Sequence, residues 1–226
     1  MFTSDAPSSS KSDRTRARLR EIALRSFRER GYDATTMRLI AQEAGVSVGN
    51  AYYHFATKND LVQELYLDVQ RAHGEAAAPG LVAEADLVDR IALVYRSGLD
   101  QLTPYHDHAA EFLSAAVSPR SDINPLADAS SDARAITEGL FAEAVGGARS
   151  GALPDDLARA LPAVLFLGHL LLALFWVYDR SEGQERTRRL LDRGIRLLRT
   201  TLPLARLPLV RGVVRDLLEL IAEAGR

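Results

Sequence analysis

Three features of this sequence predict an all-α chain. Apolar residues recur at i, i+3, i+4 and i+8, hardly any segment shows the alternation of a half-buried strand, and capping residues cut the chain into helix-sized lengths. The first helix is expected over about Asp13 to Arg30, where Leu19, Ile22, Ala23 and Phe27 share a face and Gly31 supplies a stop. Thr36 caps a short second helix, with Met37, Ile40, Ala41 and Ala44 inward and Gly45 closing it. Ser47 caps a third, in which Ala51 and Phe55 lie one turn apart. Thr57-Lys58-Asn59-Asp60 has the spacing of a capping box, with Asp in place of Glu or Gln, and opens a fourth helix to about Arg71 that carries Leu61, Val62, Leu65 and Val69 inward. The pattern loosens at HGEAAAPG, where Pro79-Gly80 marks a boundary. Beyond it, helices are expected near 85–102, 105–117, 131–149, 155–179, 184–202 and 208–224, with SPRSDINPLADAS as the longest break.

With 226 residues, 47% of them hydrophobic and 26% charged, the chain can bury a core of one large or two smaller domains and is expected to be soluble and globular. It has no cysteine, which removes disulfides, thiolate zinc sites and cysteine nucleophiles, and leaves a reducing cytoplasm as the expected setting. Residues 1–12 contain MFTSDAPSSSKS, which lacks the apolar stretch of a secretory signal and reads as a disordered tail. Leu161 to Tyr178 approaches the length of a membrane span, but it contains Pro162, Gly168 and His169 and has no flanking basic cluster; a helix buried by its own core and by a partner subunit accounts for the same run.

The formal net charge of −2 hides an asymmetry. Between Lys11 and Arg38 nine basic residues face four acidic ones, a local excess of five positive charges on an otherwise acidic chain. That distribution suits a local polyanion-binding module, because phosphate binding depends on the charge that faces the duplex. A solvated helix face is the plainer account of the same arginines.

The second and third helices, separated by a turn of three or four residues at Gly45, form a helix-turn-helix, whose second helix enters a major groove. Ile40, Ala44, Val46, Ala51 and Phe55 supply its small core, and Val48, Gly49, Asn50, Tyr53 and His54 its exposed side. Gly49 lets the backbone approach a duplex closely. From Phe27 to Leu61 the run FRERGYDATTMRLIAQEAGVSVGNAYYHFATKNDL resembles the N-terminal DNA-binding domain of the TetR family of transcriptional regulators. Gly31-Tyr32, Thr35-Thr36, Ile40-Ala41, Ala44-Gly45-Val46-Ser47, Gly49, Tyr52, Phe55, Lys58 and Leu61 carry the likeness, over roughly a quarter of the chain. It implies that Thr36, Tyr52 and Lys58 contact phosphate oxygens, that Val48, Asn50 and Tyr53 lie nearest the base edges with Arg38 in reach, and that Ser47, Gly49 and His54 complete the surface. No decisive role for His54 follows from the stretch.

The resemblance further implies a homodimer formed through the helices near 155–179 and 184–202, and an apolar or aromatic small-molecule effector bound in the body. Candidate lining residues are Tyr95, Tyr105, Phe112, Phe141, Phe166, His169 and Trp176, although aromatics at helical spacing, and a lone histidine in an apolar helix, are more often ordinary core. Tyr105-His106-Asp107-His108 suggests metal, but i and i+2 point to different faces of a helix, so no metal site is expected there. No HExxH, Walker loop, dinucleotide loop or nucleophile elbow is present, and no cofactor is expected. The expectation is therefore an all-α protein with a disordered tail at 1–12, a three-helix helix-turn-helix DNA-binding domain with its linker helix at 13–73, and a helical ligand-binding and dimerisation domain at 74–226. Its function would be that of a cytoplasmic, effector-released repressor on a pseudo-palindromic operator, not an enzyme and not a membrane protein. The rivals are an enzyme, or a protein-interaction module, built on the helical body.

Overall fold

The computed structural model describes residues 10–151 and 153–207, together with positions 212, 216 and 220. Residues 1–9 of the expected tail, and all but those three positions of the helix expected over 208–224, lie outside the described residues. The α-helices in order are α1 (Lys11–Ala34), α2 (Met37–Ala44), α3 (Val48–His54), α4 (Lys58–Ala83), α5 (Leu87–Leu102), α6 (Ala109–Ala116), α7 (Ser131–Gly146), α8 (Asp155–Val177) and α9 (Glu185–Thr201). The chain divides into two compact units, Met1–Leu65 and Tyr66–Arg226.

Local chemistry fixes the helices of the first unit. Helix α1 starts at Lys11 instead of Asp13, because the Ser10 and Asp13 side chains accept each other's backbone N–H in a capping box. Helical geometry breaks at Gly31, whose φ of 80° favours glycine, and the Thr35 hydroxyl donates to the Gly31 carbonyl at 2.7 Å, closing the break inside the core. Thr36 and Ser47 accept the N–H groups of Leu39 and Asn50 at 3.2 and 3.1 Å and so cap α2 and α3. Gly45 ends α2 in the left-handed region at φ 68°, and its N–H bonds back to α2 carbonyls. Thr57 and Asp60 form the expected box at the start of α4. Leu19, Phe27, Ile40, Ala41, Ala51 and Leu61 are fully buried among these helices, whereas Val46 stays half-buried.

The second unit departs from expectation at its first element. Helix α4 does not end near Arg71 but runs to Ala83, through Pro79 and Gly80. Proline removes one backbone hydrogen bond, but Ala77 and Leu81 are buried and anchor the turns on either side. A Cβ on Gly80 would fall on the Leu93 side chain of α5, so this glycine makes room for packing and does not mark a break. The element expected over 105–117 divides into a 3-10 turn, Thr103–His108, followed by α6. The remaining helices stand close to their expected positions. Helix α8 has the length and hydropathy of a membrane span, with a mean hydropathy of 2.2 over its most apolar window, of which 33% is buried within the chain.

One buried cation joins the helix ends of this unit. Arg90 of α5 is 2% exposed; its Nε donates to the Ala144 carbonyl at 2.8 Å, one terminal nitrogen donates to Glu143 at 2.8 Å, and the other donates to Glu84 at 2.9 Å and to Leu81. The acceptors are carbonyls at the C-terminal ends of α4 and α7, which carry the negative end of the helix dipole; that of Glu143 also accepts the Gly147 N–H at 2.9 Å. Arg90→Met keeps the stem and strands the Leu81, Glu84 and Ala144 carbonyls, so denaturant unfolding should show a loss of about 2–4 kcal/mol. A Cβ at Gly147 would fall on the same guanidinium. Gly147→Ala should therefore destabilise the wild type while adding little to Arg90→Met, a non-additivity that a double-mutant cycle would measure.

Candidate nucleic-acid interface

The exposed side of the helix-turn-helix carries large apolar and polar groups that its core does not use. Tyr53 is 80% exposed, Tyr52 49% and Val48 40%, and Ser47, Gly49 and Asn50 are exposed beside them. A Cβ built at Gly49 meets no atom within 4 Å, so the backbone itself forms the surface there. The His54 and Tyr53 rings meet edge to face with centroids 5.2 Å apart, which gives this half-buried histidine the part of a neighbour that steadies an exposed tyrosine. At the start of α2, Thr36 and Arg38 are exposed. The Thr36 oxygen accepts the capping N–H, which leaves its O–H to donate outward.

Lys58 is held in place. Its ammonium donates to the Tyr32 carbonyl at 2.8 Å and lies 3.6 Å above the Tyr32 ring, and the Tyr32 hydroxyl in turn donates to Asn59 at 2.9 Å. A cation fixed at the first turn of α4 by a cation–π contact has little entropy left to lose on meeting an anion. Other arginines of the module are tied internally: Arg16 and Arg20 share Glu64, and Arg25 and Arg30 share Glu43. Burial acts to raise the Glu64 carboxyl, but hydrogen bonds from Arg16 and Arg20 outweigh it and hold the group below the usual carboxylate range. Counted over 10–65, ten basic residues face seven acidic ones, so the excess of five seen over 11–38 falls to three across the unit.

In the body, the residues proposed from sequence as ligand contacts fall into two groups. Tyr95, Phe141, Phe166, His169 and Trp176 are buried in one core cluster, with the Tyr95 and Phe141 ring centroids 4.9 Å apart and that of His169 6.4 and 6.3 Å from them. Tyr105 and Phe112 are half-buried and do not belong to that buried cluster. His106 packs on Trp176, with centroids 4.8 Å apart, and bonds the Trp176 carbonyl at 3.0 Å, while His108 bonds Glu111 at 3.2 Å; the two histidines serve different neighbours. Sequence reasoning missed His73, which stacks on His169 at 5.9 Å, and its neighbour Gln70. The signal was present, since Leu65, Val69, His73 and Ala77 continue the inner face of α4 beyond the point where that helix was expected to stop. A surface cleft of about 380 Å³, lined by Val145, Ala158, Arg159 and Pro162 among others, contains none of the proposed contacts.

Comparison with known proteins agrees with this architecture. The family of bacterial regulatory proteins named tetR matches residues 19–65, and the tetracyclin repressor-like C-terminal domain matches residues 90–220. Among curated relatives, the HTH-type transcriptional repressor KstR2 of Mycobacterium tuberculosis strain H37Rv is 50% identical over 50 residues, 22% of this chain and 25% of that protein. KstR2 of Rhodococcus jostii is 37% identical over 86 residues, 36% of this chain and 42% of its own length. The regulator TtgR of Pseudomonas putida is 43% identical over 63 residues, 28% and 30% of the two chains. These matches thus span well under half of the relatives. Over the body the likeness is one of fold: the TetR regulator of Nitrosomonas europaea superposes with a TM-score of 0.60 at 18% identity, covering 82% of this chain and 98% of the other. FadR of Bacillus halodurans, described as a fatty acid degradation regulator, gives 0.55 at 14% identity over 84% and 95%. With both its N-terminal module and the greater part of its body matched, the chain belongs to the TetR family of bacterial regulatory proteins.

Proposed function

We propose that this protein is a dimeric transcriptional repressor that binds a pseudo-palindromic DNA operator and leaves it when an apolar or aromatic effector occupies the body. The observation that carries the DNA-binding part is the recognition surface of α3, where Val48, Asn50, Tyr52 and Tyr53 stand exposed on a helix whose opposite side, at Ala51, is fully buried. A tyrosine 80% exposed has no folding role that explains its position, and its ring and hydroxyl suit the floor of a groove. Thr36, Tyr52 and Lys58 are assigned to the phosphates, and Val48, Asn50 and Tyr53, with Arg38, to the bases. The names of the KstR2 relatives support repression over activation.

Support for the dimer comes from α8 and α9. Leu171, Leu174 and Phe175 form an exposed stripe on α8, continued by its C-cap Tyr178, and Leu190 and Leu197 lie exposed on α9. A second copy covering that stripe accounts for the apolar length of α8 without a membrane, and the protein is assigned to the cytoplasm. Effector binding in the body is taken to shift α4 and with it the spacing of the two recognition helices. A hundredfold loss of operator occupancy requires about 2.7 kcal/mol of coupling.

Gel-shift titration of Tyr52→Phe with Lys58→Ala should show weaker DNA binding on every sequence and a shallower dependence on salt, with the helical fold retained. Wild-type protein that binds no DNA at low salt would contradict the function. Leu171→Glu should convert the dimer to monomer in sedimentation experiments and lower operator affinity by at least about a hundredfold, because a half-site contact alone remains.

A further inference from the structure

The least explained atom in the body is a ring nitrogen. Nδ1 of His169 is buried and has no hydrogen-bond partner, alone in this among the described residues. The imidazole lies in the middle of α8, 6% exposed, among the rings of His73, Tyr95 and Phe141. Around it, Nε2 of His73 lies 2.9 Å from the Val94 carbonyl and Nδ1 3.3 Å from the Gln70 side-chain oxygen, of which a neutral imidazole donates to one; Gln70 accepts from Thr137 at 2.6 Å, and the Tyr95 hydroxyl donates to the Leu165 carbonyl at 2.8 Å. Burying a polar atom without a partner is costly, and a bound group that supplies the partner recovers that cost. Gly98 shows how closely the two rings pack against α5: a Cβ there would stand 2.9 Å from Cε1 of His169 and 3.0 Å from Cε1 of His73.

We propose that the effector is an uncharged, mainly apolar molecule bearing an alcohol or phenol hydroxyl, and that this hydroxyl pairs with Nδ1 of His169. The inference rests on the reading of the body as an effector-binding domain and names the chemistry of its ligand. A hydroxyl both donates and accepts, so it satisfies Nδ1 in either tautomer of the imidazole. The surroundings disfavour charge. Burial pushes the His169 imidazole down to about 3, with repulsion from His73 adding to the effect, and His73 is itself lowered by burial. Both rings are therefore neutral at pH 7, burial holds the Tyr95 phenol protonated, and Gln70 and Thr137 carry no charge. A carboxylate or ammonium entering this cluster would lose its hydration and gain no counter-charge. An apolar skeleton with one hydroxyl loses little hydration and gains one hydrogen bond. The site also leads to α4, because His73 belongs to that helix and stacks directly on His169.

Naphthol, phenylphenol and decanol, each beside the hydrocarbon and the carboxylate of the same skeleton, test the assignment by thermal shift and calorimetric titration of the full chain. At least one hydroxylated probe should bind about tenfold or more tighter than both of its partners. His169→Phe should lose that preference and bind the alcohol like the hydrocarbon, while His169→Asn, which restores a polar atom near Nδ1, should recover most of it. The wild-type comparison stands even where a variant folds poorly. No binding by any hydroxylated probe, equal binding of alcohol and hydrocarbon, tighter binding of the carboxylate, or a His169→Phe variant that keeps the preference would each overturn the proposal. Operator binding, measured with no probe present, judges the regulator reading separately: a chain that prefers the alcohol but binds no DNA would retain this site and lose that function.

Discussion

Helix ends in the body converge on the guanidinium of Arg90. A C-terminal turn leaves carbonyls short of intrahelical donors, and at the ends of α4 and α7 a guanidinium that is itself buried supplies them. A fork of five N–H donors on a rigid plane answers several carbonyls at once, which a lysine ammonium on a flexible stem does less well. No carboxylate appears among its partners; the negative ends of two helix dipoles take that place. Through this one residue the end of α4 is fastened to α5 and α7. A helix held so firmly at one end can transmit a displacement along its length, which is the property that the proposed effector response requires.

The first unit is organised by short-range chemistry instead. Its helices are set by residues that cap within three positions of themselves, and its turn by a glycine in the left-handed region. Such a module needs little core to fix the angle between α2 and α3, which leaves the outer side of α3 free to carry exposed tyrosines. Its charge is finely divided. Glu43 and Glu64 each bind two arginines, so much of the basic character read from the sequence serves to join helices within the module. What is left for a duplex is a modest excess placed on an acidic chain.

This contrast decides what was legible in the sequence. Thr36, Gly45, Ser47 and the Thr57 and Asp60 box could be read correctly because a cap depends on neighbours three residues away. Pro79-Gly80 could not, because the proline is carried by buried Ala77 and Leu81 and the glycine makes room for Leu93, a residue of another helix. Arg90 read as one arginine among many, and nothing local distinguishes an arginine destined for helix C-termini. Val48, Gly49, Asn50, Tyr53 and His54 followed from the exposed side of a short helix, whereas Tyr52 came from the family resemblance alone. For the body, aromatic content picked out Tyr95, Phe141, Phe166 and Trp176, which share one buried cluster, together with Tyr105 and Phe112, which lie outside it. His73 was lost with the second half of α4. His169 looked like a satisfied core histidine, and only its surroundings reveal the nitrogen without a partner.

The central claim is that two copies of the α3 surface read one duplex. Selection of bound sequences from a random duplex pool, followed by hydroxyl-radical footprinting of the enriched site, tests it most directly. The account predicts an inverted repeat with two protected half-sites whose centres lie about one helical turn, or a whole number of turns, apart. An enriched site without two-fold symmetry, or no enrichment above the starting pool, would contradict it.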